Sequence, residues 1–195
     1  MKKIIPIANL ATRLSTINRA VRYENGHFEN DAEHSFQLAL VCWATNKQYN
    51  LDLNDELLLK LALIHDLVEV YAGDTDAFGD KKDLDSKKER EEKALRKIKE
   101  EHPDFSEMSE VIERYERKKD VEAQLVFVLD KILADINIYQ NKSDYYKDKK
   151  ITIDAWKKWL FNKIDIESLD SKLKPLIKEF INEVETKHGE VFYRD

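Results

Sequence analysis

Apolar residues recur along most of this chain at helical spacing. Leu57, Leu58, Leu61, Ala62, Ile64, His65 and Val68 share one wide face, and Val121, Leu125, Val126, Val128, Leu129, Ile132, Leu133 and Ile136 form a second. Such stripes belong to helices packed on a core. Asn30 or Asp31 can cap a helix running to about residue 48, and Asn54 and Asp55 open the next, which continues to Gly73. Further helices are predicted over 4–17, 83–101, 105–117, 120–140, 152–163 and 170–187. The helix over 83–101 is highly charged, with a thin stripe of Leu84, Ala94, Leu95 and Ile98, and Pro103 breaks it. The region holding Arg13, Arg19 and Arg22 reads as loop-like, and Ile151-Thr152-Ile153 is β-prone but too short to make a sheet. The helical period dominates, so the expected class is all-α.

Composition narrows the picture. The chain has 195 residues, enough for a sizeable core in one domain. Charged residues make up 37%, against 4 Gly and 3 Pro, which suits long charged helices with short connections. A formal net charge of −6 argues against a nucleic-acid polymer as partner, because neutralising a phosphate backbone needs a basic face. It leaves room for a small anionic substrate, since a metal and one Arg reverse the field locally. Cys42 is the only cysteine, so no intrachain disulfide forms, and its apolar neighbours make it a small buried hydrophobe. Met1 to Pro6 lack the pattern of a signal peptide, and no run of about 18 apolar residues is present to span a membrane. A reducing, cytoplasmic compartment is the expectation.

The candidate chemistry lies where polar residues interrupt apolar helix faces. His34 precedes Phe36, Leu38 and Ala39; His65-Asp66 sits between Leu61-Ala62-Leu63-Ile64 and Leu67-Val68; Asp130 lies between Phe127-Val128-Leu129 and Ile132-Leu133. An ionised carboxylate facing a core is costly unless paired or metal-bound. One shared cation would neutralise both Asp and fix both His. By pattern alone the bland alternatives stand: a satisfied core histidine, a solvent-facing Asp, or an Asp paired with the adjacent Lys131.

The blocks Ala32-Glu33-His34-Ser35, His65-Asp66-Leu67-Val68-Glu69, Gly73-Asp74 and Asp130-Lys131 resemble those of the HD-domain phosphohydrolases. The resemblance is strongest to their compact branch, the bacterial YfbR-like 5′-deoxynucleotidases, and runs in order and spacing from about Ile17 to about Leu133. It implies one HD domain over 1–195, with a motif-bearing core at about 17–140 and a C-terminal helical extension at about 150–190. It implies one divalent transition metal (Mn, Co, Fe, Ni or Zn) on His34, His65, Asp66 and Asp130. Two nitrogens and two carboxylates suit such ions, and open positions would admit water and a substrate oxygen.

By the same resemblance, Glu69 orients the water or shuttles a proton, and Asp74 contacts a sugar hydroxyl or assists proton transfer. The spacing of Glu69, three residues after Asp66 and four after His65, places it on their helix face. Arg19, in Ile17-Asn18-Arg19, matches a phosphate-contacting Arg, with Arg13 and Arg22 as rivals. A homodimer is also implied. The implied substrate is a small phosphate ester, foremost a (deoxy)nucleoside 5′-monophosphate. A cyclic nucleotide, a nucleoside polyphosphate or a non-catalytic metal- or nucleotide-binding module is the alternative. One departure bears on specificity: the deoxynucleotidases carry a Trp directly after that Arg, and here Ala20 follows, with Tyr23 or Phe28 as candidates to fill the space. His27 is a candidate neighbour of the site, whereas His102 and His188 read as helix-end or surface histidines. Trp156, Trp159 and Phe161 are expected to pack the C-terminal helices on the core, with a subunit contact as the other use.

Overall fold

The computed structural model describes residues 1–194. Helix α1 (Ile4–Leu14) leads into a short antiparallel hairpin, β1 (Asn18–Arg22) and β2 (Phe28–Asn30), in which Asn18 pairs with Asn30 and Arg22 with Phe28. Then follow α2 (Asp31–Gln48), α3 (Asp55–Ile64), the single turn α4 (Glu69–Ala72), α5 (Lys81–Glu101), α6 (Ser106–Arg117) and α7 (Val121–Gln140). The short α8 (Tyr145–Asp148), α9 (Ile153–Lys163) and α10 (Lys174–Lys187) complete the order. The all-α class holds. The hairpin corrects the expectation of a loop: Gly26, at φ +87°, closes it, and the pairing satisfies backbone groups that a buried loop would strand. Among the described residues, no helix is long and apolar enough to cross a membrane.

The helix starts follow local chemistry. Asn30 caps α2 through a full capping box, accepting the N–H groups of Ala32 and Glu33 while Glu33 accepts that of Asn30. The side chains of Asn54, Asp120 and Thr152 cap α3, α7 and α9 in the simpler way. Two expected helices are shorter than their patterns: the first ends at Leu14, and the last begins at Lys174, with Pro175 in its first turn. The third breaks after Ile64. There the ladder tightens to three-residue spacing, Leu67 N–H to Ile64 O (3.0 Å), Glu69 N–H to Asp66 O (2.8 Å) and Val70 N–H to Leu67 O (3.3 Å). The apolar period runs on through this stretch, so periodicity did not reveal the break.

A large apolar cluster joins α2, α3 and α7 to the C-terminal helices through residues such as Leu38, Leu61, Leu125, Trp156 and Ile177. A smaller one ties α1, α4, α5 and α6 together through Leu10, Val70, Ile98 and Ile112. Trp156 is fully buried, as expected of a core residue, and Cys42 likewise. Trp159, half-buried, packs against the same core, whereas Phe161 is exposed and departs from that expectation. His102 caps the end of α5 but is buried, and His188 stacks on Tyr139 with ring centroids 3.8 Å apart.

One buried acid has a structural role. Asp135 accepts the indole N–H of Trp156 at 3.0 Å and the hydroxyl of Tyr146, clamping α8 and α9 to α7. Its burial outweighs both donors and pushes the carboxyl up to about 7, above its unfolded value of about 3.9. The folded chain therefore binds this proton more tightly, and the stabilisation is complete below about pH 4 and lost as pH rises through about 7. Urea denaturation midpoints measured from pH 4.5 to 8 are expected to fall across that window, and to fall less in Asp135→Asn. Equal slopes in the two proteins would remove Asp135 as the source.

Candidate metal centre

Three helices and the hairpin deliver the candidate residues to one place. His34 lies one turn into α2, His65 and Asp66 lie in the tightened turn after α3, and Asp130 lies in the middle of α7. Each offers a donor atom, and these four atoms lie within 4.8 Å of one another. His34 Nε2 is 3.0 Å from Asp130 Oδ1, His65 Nε2 is 3.8 Å from the same oxygen, and the two imidazole centroids are 5.5 Å apart.

The remaining ring nitrogens set the tautomers. His65 Nδ1 donates to the backbone carbonyl of Ala62 at 2.9 Å, and His34 Nδ1 faces Glu29 Oε1 at 3.4 Å. Both Nε2 atoms are thereby aimed at the cluster, the arrangement that orients a histidine for metal binding. His65 Nε2 is buried and 2.9 Å from Asp66 Oδ2, yet it is not aligned for a hydrogen bond and makes none among the described residues. A buried imidazole nitrogen left out of the hydrogen-bond network beside two carboxylates fits a divalent cation. Burial opposes charge on His65, but Asp66 and Asp130 outweigh it and push its pKa up to about 10. The same negative field that draws a proton there attracts a metal ion.

Arg19 also reaches this cluster. Its position on β1 puts it on the same side as Val21, turned inward. Its guanidinium contacts Asp66 Oδ2 at 2.8 Å, Glu29 Oε2 at 3.2 Å and Asp31 Oδ1 at 3.4 Å. The rivals go elsewhere: Arg13 lies over the Tyr71 ring and donates to Val70 O, and Arg22 lies over the exposed Phe28 ring. His27 pairs with Glu33 at 2.9 Å on the surface, away from the cluster.

Glu69 is buried at the first position of α4, and Lys87 Nζ lies 3.5 Å from its Oε1 while Oε2 has no hydrogen-bond partner among the described residues. The turn after α3 thus brings Glu69 to the site in place of the continuous helix face expected. Burial, and then the charge of Asp66, holds its carboxyl well above the usual range. Asp74 follows Gly73, whose φ of +75° turns the chain out of α4. Asp31, Glu69 and Asp74 bring oxygens within 4.8 Å of one another, and burial with Asp66 pushes Asp31 up to about 7. All the predicted site residues therefore border one region.

Several further residues complete the site. Glu29 is fully buried and joins Arg19, His34 and Asn137, whose Nδ2 donates to it at 2.6 Å. Lys131 and Tyr115 bind the second oxygen of Asp130, at 2.6 and 3.3 Å. Arg90 of α5 holds the turn after α4 by donating to Ala72 O, Gly73 O and Thr75 Oγ1. Lys131 pairs with its neighbour Asp130 as the sequence offered, whereas Glu29, Tyr115 and Arg90 reach the site from distant segments and carried no signal.

A family model described as an HD domain matches residues 11–170 of the chain. The 5′-deoxynucleotidases of Yersinia pestis (strain Pestoides F) and Yersinia pseudotuberculosis (serotype O:3, strain YPIII) are each 42% identical over 67 residues, covering 32% of this chain and 34% of theirs. The chain thus spans about a third of the length of these curated relatives. Among solved structures, a predicted metal-dependent phosphohydrolase from Magnetospirillum magnetotacticum MS-1 is similar over 98% of this chain and 96% of that one, with a TM-score of 0.77 at 23% identity. A conserved hypothetical protein from Pyrococcus furiosus is similar over 91% and 99%, with a TM-score of 0.60 at 23% identity. At that identity, these two likenesses speak for the fold.

The geometry generates a direct test. Adding Mn²⁺ or Co²⁺ to metal-stripped protein is expected to raise its melting temperature, because a ligand of the folded state stabilises it. The rise should vanish in His65→Ala and in Asp66→Ala. An undiminished rise in either variant would remove that residue from the ligand set.

Proposed function

The chain belongs to the HD-domain family, and from that premise we propose that it is a metal-dependent phosphohydrolase acting on nucleoside 5′-monophosphates. In this reading His34, His65, Asp66 and Asp130 hold one divalent ion, and Arg19, Glu69 and Asp74 act on the substrate. The observation that carries it is the gathering of two metal-ready imidazoles, two carboxylates and a guanidinium at one cleft. The matched stretch of the Yersinia 5′-deoxynucleotidases supports the substrate class.

When bound, a divalent ion supplies Lewis acidity, which acidifies a water and takes up charge on a phosphoryl oxygen. The chain's own groups do the rest. Arg19 presents a planar fork to the phosphate, held from behind by Glu29 and Asp31, and Lys131 and Lys87 line the same cleft. These cations offset the carboxylates that would otherwise repel a dianion. Water attacks phosphorus, the ester P–O bond breaks, and the nucleoside leaves as its 5′-alcohol. Glu69 takes up the proton that the water loses and returns it to the leaving oxygen. Burial and the charge of Asp66 raise its proton affinity, which strengthens the ionised carboxylate as the acceptor. Asp74, at the cleft wall, accepts a hydrogen bond from a sugar hydroxyl. Ala20 leaves open the space beside Arg19, so the choice between deoxyribose and ribose falls to other residues.

Glu69→Gln is expected to keep its metal content while kcat falls by a factor on the order of 10² to 10⁴. Unchanged turnover would make Glu69 a structural carboxylate. Phosphate release should be measured on nucleoside monophosphates, cyclic nucleotides and nucleoside polyphosphates, after metal stripping and re-addition of Mn²⁺ or Co²⁺. Metal-dependent release is expected from the 5′-monophosphates. Release confined to another ester would replace the substrate. No release from any of them by metal-loaded protein would point to a binding module.

A further inference from the structure

We infer that Trp159, with Phe78 and Tyr145, seats the nucleobase of the substrate; this rests on the nucleotide reading above and names the part of the chain that recognises the ring. The cleft bordered by Asp66, Glu69 and Asp130 is also lined by these three aromatic residues. Asp130, Ala134 and Ile138 all line it, so it follows α7 for two turns, about 12 Å at ~1.5 Å per residue. A phosphoryl group occupies only part of that length. Small side chains at Ala20 and Ala134 keep the cleft open between its walls.

The aromatic residues form an anchored wall. The Phe78 and Trp159 ring centroids are 5.2 Å apart at 41°, and Phe78 and Tyr145 are 6.4 Å apart at 61°. Asp76 fixes this wall: it accepts the Phe78 backbone N–H at 3.0 Å and the Tyr145 hydroxyl, and it pairs with Lys149 at 2.5 Å. Rings held this way stay in place for a planar ligand.

Two tryptophans one turn apart make the contrast that selects the ligand. Trp156 places its indole N–H on Asp135 at 3.0 Å, as a buried tryptophan normally does. The Trp159 N–H is equally shielded from solvent and has no acceptor among the described residues. An unmet buried donor is costly, so a turn of the ring that offers it to an acceptor on the ligand is favoured. A purine or pyrimidine brings both a π-face and ring or carbonyl acceptors. A bare sugar phosphate lacks the face, and an alkyl phosphate lacks both.

The test uses the full chain with 2′-deoxyadenosine 5′-monophosphate and the base-less 2-deoxyribose 5-phosphate. Trp159→Leu is expected to raise KM for the nucleotide roughly tenfold, the usual effect of removing one stacking ring. The kcat for the nucleotide and the KM for the base-less ester should stay unchanged. Trp159→Phe, which keeps a ring without the N–H, should fall between wild type and Trp159→Leu. It also covers the case in which the leucine variant does not fold. In a second readout, the nucleotide should quench wild-type tryptophan fluorescence and quench Trp159→Phe much less. Equal KM changes for both esters, or no change for either, would overturn the base seat. A wild-type protein that cleaves the base-less ester as efficiently as the nucleotide would instead defeat the nucleotide reading.

Discussion

Negative charge gathered inside a helical protein is the constraint around which this molecule is arranged. Glu29, Asp31, Asp66, Glu69, Asp74 and Asp130 crowd one region, opposed there by Arg19, Lys87 and Lys131. Buried like charges repel strongly and are poorly hydrated. The protein relieves the strain in three ways. Arg19 bridges Glu29, Asp31 and Asp66; Asp130 is held well below the ordinary carboxylate range against its burial by Lys131 and the two imidazoles; and Asp31 and Glu69 are driven toward their protonated forms. A divalent ion among His34, His65, Asp66 and Asp130 would complete the balance where the field is most negative.

The scaffold serves this arrangement. The large apolar cluster holds α2, α3 and α7 against one another, so that three distant segments present their polar residues inward. The local cost is regular helix. The tightened turn from Ile64 to Val70 carries His65, Asp66 and Glu69 to the site in place of a regular helix. Arg90 secures the far end of that turn by taking up the free carbonyls after α4. Helix regularity is lost where the site is built, a common exchange in functional regions.

Asp135 and Asp130 show how neighbouring acids on one helix come to differ. Both are buried on α7. Asp130 faces a lysine and two imidazoles and stays ionised, while Asp135 has only neutral donors in contact and is pushed up to about 7. One carboxylate is thereby fit for a cation, and the other serves as a clamp for the C-terminal helices.

Much was legible in the chain alone. Period-3.6 apolar stripes, caps at Asn30 and Asn54, and scarce Gly and Pro set the helical class, because these are local properties of neighbouring residues. Polar residues interrupting apolar faces marked His34, His65, Asp66 and Asp130, since burial of such groups demands a reason. Only the tertiary structure decided the hairpin, the break after Ile64, and which of Arg13, Arg19 and Arg22 turns inward. It alone placed Glu29 behind the site and separated the roles of Trp156 and Trp159. These features depend on contacts between residues far apart in sequence. Periodicity says which face of a helix is buried; which charge waits on the opposite wall depends on how the helices meet.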